Sequence, residues 1–379
     1  MRIRLQNLPK QIELVKAMGS KDKGTAEQAQ QIFASLMSKT LSEIFQQAET
    51  TSMIYQDLQF NEGDDPSIPI ELYANTPQDH FSIWSQTVAG GLPTNEIHEP
   101  IDEVKIHTYR LDSAWSYDRR YARKARLDVI GKAVERIMQE ILLKTQHHAW
   151  SVVLAGLASA SHNALDHVFR VDTNGFLTLE DLNKLFTRMR RINSSWVDGT
   201  PAGDTGQLTD IIVSPEVKEQ IRGMAYNSIN VRTANGTATT AASGTLALPD
   251  AKRAGMFTAA GTSEIYGLAI TELLELGLGK SYNTLFDTYA DAASQTFAEA
   301  DGTTGDAAYN AANDDLVIGL DLSQDFAYRA IEADEDSGST FRLEIDDQFP
   351  ARSDKQGWYG NIREGRVLLE TRPIAGLIV

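Results

Sequence analysis

Apolar residues recur at near-helical spacing over residues 26–47. There Ile32, Leu36, Leu41 and Phe45 predict the inward face of a helix entered through Gly24 and Thr25. The pattern then stops. Residues 57–104 hold Pro66, Pro69, Pro77, Pro93 and Pro100 around Gly90-Gly91, and prolines at that density forbid long helices. Short extended stretches such as "SIPIELY" and "FSIWSQTV" predict a long two-stranded arm instead. A proline-free run follows from Leu127 to Ala158. Leu127, Ile130, Val134, Ile137, Ile141 and His148 mark one face, widened by Met138, Leu142, Ala149 and Val153. Glu140 precedes Lys144 by one turn, the favourable order for an ion pair on a helix. At about 1.5 Å per residue the run would be roughly 45 Å long, several times a usual globular helix.

Periodicity predicts another helix over residues 179–192, with Leu182, Leu185, Phe186, Met189 and Ile192 inward. "TDIIVSPEVKEQIRGM" reads as a buried strand, then a helix capped by Ser214 with Pro215 at its first position. Three stretches rich in small and polar residues, "WVDGTPAGDTGQ", "VRTANGTATTAASGTLALPD" and "AEADGTTGDAAYNAANDD", read as loops, the last preceding the strand "LVIGLDL". The tail alternates as a strand "TFRLEIDDQF", a polar turn "PARSDKQGWYGNIREG" and a closing "RVLLETRPIAGLIV". Helices and strands are both predicted, and the expected class is α+β.

The chain has 379 residues, enough for two or three units at about 150 residues each. Its net charge is −17, from 52 acids against 35 bases, so its surface as a whole would repel nucleic acid and acidic membranes. Any such contact needs a local basic patch. The absence of cysteine excludes disulfides, zinc–cysteine sites, iron–sulfur clusters and cysteine nucleophiles. No apolar run reaches signal-peptide or membrane-span length, and the expectation is a soluble chain made in the cytoplasm.

Three stretches suggest chemistry, and each has a simpler account. "RVDTNGFLTLED" places Asp172, Asn174, Gly175, Thr178 and Asp181 at calcium-loop positions, but Arg170 stands where the first oxygen ligand belongs. Asn-Gly as a turn and Thr178 with Asp181 as a helix cap explain the same residues. "GLGKS" resembles part of a phosphate loop, but Leu274 stands where its first glycine belongs, and a bend between strands is expected. His147-His148 has no histidine or glutamate at zinc-protease spacing, so His148 is expected to be packed. Catalytic, metal and cofactor residues are therefore all predicted as none.

Charge placement remains. Residues 57–104 contain ten acids and no lysine or arginine. Directly afterwards "YDRRYARKARLD" concentrates Arg119, Arg120, Arg123, Lys124 and Arg126, and Arg188, Arg190 and Arg191 end the second helix. The bland reading is a set of solvated faces, or bases complementing a helix C-terminus. The sharper one lays an acidic arm of one subunit on a basic surface of the next. It pairs Glu62, Asp64 and Asp65 with Arg119, Arg120 or Arg123, and adds Arg352 and Lys355 of the last turn as candidate contacts.

This order of parts resembles the major capsid proteins of tailed phages, whose Hong Kong-type capsid fold is shared with herpesvirus capsids and encapsulins. The resemblance rests on "DSAWSYDRRYARKARLDVIGKAVERIMQEIL" entering a spine helix, "EIYGLAITELLELGLG" as an axial strand and turn, and the tail as a final long hairpin with "RP" before its last strand. It implies an N-terminal arm (1–56), an extended loop (57–112), a peripheral domain with the spine helix (113–209), an axial domain (210–330) and closing peripheral strands (331–379). It also implies a shell of hexamers and pentamers around double-stranded DNA, with portal, scaffolding or decoration proteins as further partners, no membrane and no cofactor. Some family members weld neighbours through a lysine in the extended loop; here residues 57–104 have none, so non-covalent locking is expected. No long charged leader of the kind some members cleave off is recognised, so scaffolding is expected from a separate protein or from the short arm. An encapsulin-like cargo shell, or a calcium- or nucleotide-dependent enzyme, are the alternatives.

Overall fold

The computed structural model describes residues 9–48, 50–61, 63–69, 91, 103–124, 127–162, 165–192, 207–226, 263–265, 267–299, 307–323, 325–334, 338–346 and 354–379. These fall into two compact units. The first draws on Met1–Leu72, Glu99–Ala149 and Ala327–Val367; the second draws on Trp150–Phe326 and Leu368–Val379.

The first unit is a five-stranded sheet covered by helices. Its strands are β1 (Tyr55–Phe60), β4 (Thr108–Asp118), β12 (Ala327–Glu332), β13 (Arg342–Asp346) and β14 (Lys355–Leu368). β1 runs parallel to β12, while β14 runs antiparallel to β13 on one side and to β4 on the other. Helices α1 (Pro9–Met18), α2 (Lys23–Ala48) and the first part of α4 (Leu127–Ala158) supply the apolar cover; Phe33, Met37, Leu41, Val134, Met138 and Ile141 join Trp115, Tyr117, Trp358 and Ile362 in one core. Trp358 is fully buried at its centre, with the rings of Phe33 and Tyr117 at 5.2 Å and that of Trp115 at 5.8 Å.

The mixed helix-and-strand class agrees with the sequence, but three local readings change. Helix α2 turns Ala29, Phe33, Met37, Leu41 and Ile44 inward, leaving the predicted Ile32 and Leu36 exposed at 53% and 60%. Two apolar stripes compete on that helix, and the one bearing Phe33 wins because its ring meets Trp358. The predicted polar turn 350–365 is largely strand: β14 begins at Lys355 and buries Gln356, Asn361, Glu364 and Arg366. Its turn-like glycines answer to crowding instead, since a Cβ on Gly360 would lie 2.7 Å from the Phe341 ring. Nor do the last two strands form a hairpin. β14 stays in this sheet, while β15 (Ile374–Ile378) pairs with β11 (Leu316–Leu320) in the second unit.

The acidic stretch starts inside this unit rather than outside it. Asp57 lies on β1 and receives both arms of the Arg329 guanidinium at 2.7 Å, where Arg329 is only 4% exposed. A short antiparallel pair, β2 (Ser67–Pro69) with β3 (Glu103–Lys105), then joins the two ends of the rest of the stretch. Residues 70–102, "FSIWSQTV" included, lie outside the described residues except Gly91.

The second unit holds a short antiparallel pair, β5 (Ser161–His162) with β6 (Leu165–Asp166), and a six-stranded sheet in the order β7 (Val168–Arg170), β15, β11, β8 (Asp210–Val213), β10 (Leu268–Glu272) and β9 (Ser263–Ile265). β11 and β15 are buried along their whole length, as unbroken apolar runs demand. Helix α5 (Leu179–Ile192) has the predicted bounds, with Leu182, Leu185, Met189 and Ile192 buried. Helix α6 (Pro215–Tyr226) adds Val217 and Ile221 to the same core. Ser214 caps α6, its Oγ accepting from the N–H of Val217 at 3.1 Å, as the sequence predicts. Helix α7 (Ser281–Ala292) brings Phe286 against Tyr309 and Phe297, with ring centroids at 4.9 and 6.0 Å.

Candidate assembly surfaces

The basic surface is built where β4 runs into α3 (Arg119–Arg123). Asp118 ends the strand in extended backbone and caps the helix by accepting from the N–H of Arg120 at 2.9 Å. The Arg120 guanidinium also donates to Asp118 at 2.7 and 3.0 Å, and these bonds hold the Asp118 carboxyl down at about 2. Arg119 donates to the Ser20 carbonyl and Arg123 to the Gly19 carbonyl, so the turn between α1 and α2 is fastened to α3. Gly19 is needed there, since a Cβ would sit 2.7 Å from the Arg123 nitrogen. Asp354 lies 3.8 Å from Arg119 and 4.0 Å from Arg123.

The predicted contact residues are thus disposed unevenly. Arg119, Arg120, Arg123 and Lys355 form one surface on the first unit with exposed Lys21 and Lys124, and each of the three arginines already has a partner in its own chain. Asp64 and Asp65 are exposed on the turn between β1 and β2. Glu62 and Arg352 lie outside the described residues. The other basic group divides: Arg188 lies over the Phe169 ring at 5.1 Å, its burial lowering the guanidinium pKa.

The three chemical signals resolve locally. Asp181 and Thr178 form the expected reciprocal cap, with Thr178 N–H to Asp181 Oδ2 at 3.0 Å and Asp181 N–H to Thr178 Oγ1 at 3.2 Å. Gly175 takes the positive φ of the turn, Lys184 pairs with Asp172, and Arg170 pairs with Asp314 at 2.8 Å. "GLGKS" corrects the sequence reading, because it joins strand β10 to helix α7 rather than two strands. Its backbone is committed to the fold: Gly279 N–H donates to the Ala311 carbonyl at 2.7 Å and Tyr282 N–H to the Glu275 carbonyl at 3.2 Å. His148 is half-buried with its ring 4.6 Å from Tyr109, and burial lowers its pKa, with His147 beside it acting the same way. Among the described residues no cluster of three metal-ligating side chains occurs, and no helix is long and apolar enough to cross a membrane.

One feature escaped the sequence reading. Glu364 and Arg366, 0% and 1% exposed as side chains, form an ion pair at 3.3 Å beneath α4. Tyr109 donates to Glu364, Arg366 reaches Thr51 at 3.4 Å, and its guanidinium lies 4.9 Å from the Tyr55 ring centre. The segment "NIREGR" gave no sign of this, because charged residues next to glycine read as turn.

These features define a mixed α+β chain with exposed acids between β1 and β2 and a basic face at α3. No protein-family model matches the sequence, and no curated protein does. Among solved structures the chain is similar to one of Microbacterium phage Oxtober96, with 11% identity, 87% of this chain and 90% of that one covered, and a TM-score of 0.47. It is similar to the mature capsid of bacteriophage PhiM1 (11% identity, 87% and 86% covered, TM-score 0.48). An encapsulin complex from Synechococcus elongatus is similar over 73% of this chain and 75% of that one, at 9% identity and a TM-score of 0.42.

Proposed function

We propose that this chain is a structural subunit of a tailed-phage capsid, with no enzymatic role, assembling as hexamers and pentamers around double-stranded DNA. The observation that carries the reading is the placement of the acidic stretch: it begins on β1, β2 pairs with β3 on either side of its remainder, and Asp64 and Asp65 are exposed. A segment of ten acids, no bases and five prolines over residues 57–104 gains little by folding on itself, and a neighbouring copy's basic surface offsets its charge. The parts in this reading are an arm (1–56), an extended loop (57–112), a peripheral domain (113–209) entered by the 32-residue helix α4, an axial domain (210–330) and closing strands (331–379).

In this reading Glu62, Asp64 and Asp65 face Arg119, Arg120 or Arg123 of the next copy, with Arg352 and Lys355 at the margin. Many modest contacts satisfied together close the shell by avidity. Portal, scaffolding or decoration proteins complete the particle, which assembles in the host cytoplasm. The genome touches the inner face without sequence specificity, and an acidic inner wall would leave it free to pack and leave. A strongly basic potential on that wall would contradict this part.

The test is negative-stain microscopy and sedimentation of purified protein beside a variant carrying Glu62→Lys, Asp64→Lys and Asp65→Lys. Wild-type protein is expected to close into shells, and the variant to stay as folded small oligomers. Shells forming normally from the variant would overturn the pairing. A wild-type protein that never assembles would overturn the function.

A further inference from the structure

Of the strands at the ends of the two large sheets, β4 stands apart. It runs 11 residues, while β1 has 6, β13 has 5, and β7 and β9 have 3 each. Short ends are a common protection against unwanted pairing, as are proline, lysine and bulges along an exposed edge. "TYRLDSAWSYD" has no proline, lysine or glycine, and its register against β14 is unbroken from Asp118↔Lys355 to Thr108↔Gly365. Among the described residues β4 pairs on one side only.

Which backbone groups point outward follows from the ladder. The Arg119 N–H donates to the Asp354 carbonyl at 3.1 Å, continuing the same register by one step. In an antiparallel pair, hydrogen-bonded and non-bonded partners alternate, so odd-numbered residues of β4 bond to β14 and even-numbered ones face away. The strand's entry agrees: even-numbered Ile106 donates outward, to the Pro66 carbonyl at 2.9 Å. Among the described residues the segment leading into β2 therefore occupies the edge only as far as Ile106. Beyond it Thr108, Arg110, Asp112, Ala114, Ser116 and Asp118 direct their backbone groups away from β14. The same six place their side chains on the polar face of the sheet, while Trp115 and Tyr117 are buried on the other.

We infer that two copies of this chain join along β4, antiparallel about a two-fold axis at Ala114, making one continuous sheet across the pair. Charge and length together select this register, since the other one that pairs opposite charges, Arg110 with Asp112 about Leu111, overlaps only from Thr108 to Ala114. With Ala114 opposite its own copy, Asp112 meets Ser116 and Arg110 meets Asp118, an opposite-charge cross-strand pair made twice by symmetry. A shift of one residue pair toward the N-terminus would instead put Arg110 opposite Ser116 and Asp112 opposite Ala114. Asp118 keeps its cap on Arg120 through Oδ1, while Oδ2, now held by the Arg120 guanidinium, is placed to share with the incoming Arg110. Self-pairing of one patch is the isologous geometry that closes as a dimer. The inference does not depend on a shell; a free dimer would satisfy it.

The chain has no cysteine, so one substitution supplies one thiol. In a hydrogen-bonded antiparallel pair the Cα atoms lie about 5.5 Å apart, inside the range that a disulfide spans. Ala114→Cys in the full chain is expected to oxidise to a covalent dimer at least about tenfold faster than Leu143→Cys, an exposed control on α4, because pairing raises the local thiol concentration. Arg110→Cys alone should behave like the control, whereas Arg110→Cys with Asp118→Cys should cross-link. Ala114→Pro removes an outward N–H and no bond to β14, so it should abolish the dimer in sedimentation while leaving circular dichroism unchanged. Equal oxidation of Ala114→Cys and the control would overturn the inference. So would loss of association in Ala114→Pro without cross-linking at position 114, which would mean that a different segment covers the edge.

Discussion

Replacing Glu364 by glutamine tests the strongest electrostatic statement about the first unit. Glu364 is fully buried and Arg366 nearly so, with the ion pair at 3.3 Å and Tyr109 donating to the same carboxylate. Glutamine keeps the size and one acceptor but removes the carboxylate charge beside the Arg366 guanidinium. Removing one member of a buried pair costs about 3–5 kcal/mol, mostly because the survivor stays charged away from water. Here Arg366 keeps Thr51 at 3.4 Å and the Tyr55 ring at 4.9 Å, and a desolvated cation over a ring contributes up to about 2 kcal/mol, so the lower end, about 3 kcal/mol, is expected. Replacing both, Glu364→Leu with Arg366→Met, removes the charge and the penalty together and should recover most of that loss. Urea denaturation followed by circular dichroism, with hydrogen exchange along β14, measures both variants. A single variant costing under about 1 kcal/mol, or a double variant as weak as the sum of the two singles, would refute the reasoning.

Four further outcomes follow from the geometry. Phe33→Ala should cost about 3–5 kcal/mol, while Ile32→Ser should change stability by no more than about 0.5 kcal/mol, a contrast that thermal denaturation reads directly. Thr178→Ala should cost about 1 kcal/mol and raise amide exchange in the first turn of α5, because the reciprocal cap with Asp181 is lost. Calorimetric titration with calcium should give no heat from the "DTNG" turn, since Arg170 stands where the first ligand oxygen is needed and Lys184 already pairs with Asp172. His148 has its folded pKa below the ordinary 6.5, so the unfolded chain binds the proton more readily. Its contribution is constant above about 6.5 and is lost as pH falls through the folded pKa, so His148→Gln should flatten that part of the acid limb in pH-dependent urea titrations.

What the sequence could tell depended on how many signals agreed at one place. Helix α5 was legible to the residue because an amphipathic stripe, a capping pair and an Asn-Gly turn coincide there. Ser214 and Pro215 announced α6 in the same way. Helix α2 was legible as a helix but not in its rotation, because Ile32 and Leu36 compete with Phe33 and Met37, and only the aromatic partner Trp358 decides between them. Strand β14 before Arg366 was missed because its polar residues are satisfied by distant groups: Gln356 by Tyr117 at 3.0 Å and Glu364 by Tyr109. No local pattern encodes partners so far away in the chain. For the contact surface, charge runs located the basic patch at α3 but not its internal pairing with Asp118, Gly19 and Ser20, which depends on the docking of α1.

Strand β1 has a further consequence, in time. Tyr55 is matched with Ala327, and each later residue of the strand with one equally remote. A ribosome therefore releases the N-terminal helices long before their sheet can exist, and closing so large a loop is slow. The polypeptide has no finished first unit to offer a neighbour until its last strands have been made. Late completion of this kind would keep half-made chains from presenting a finished surface to other copies.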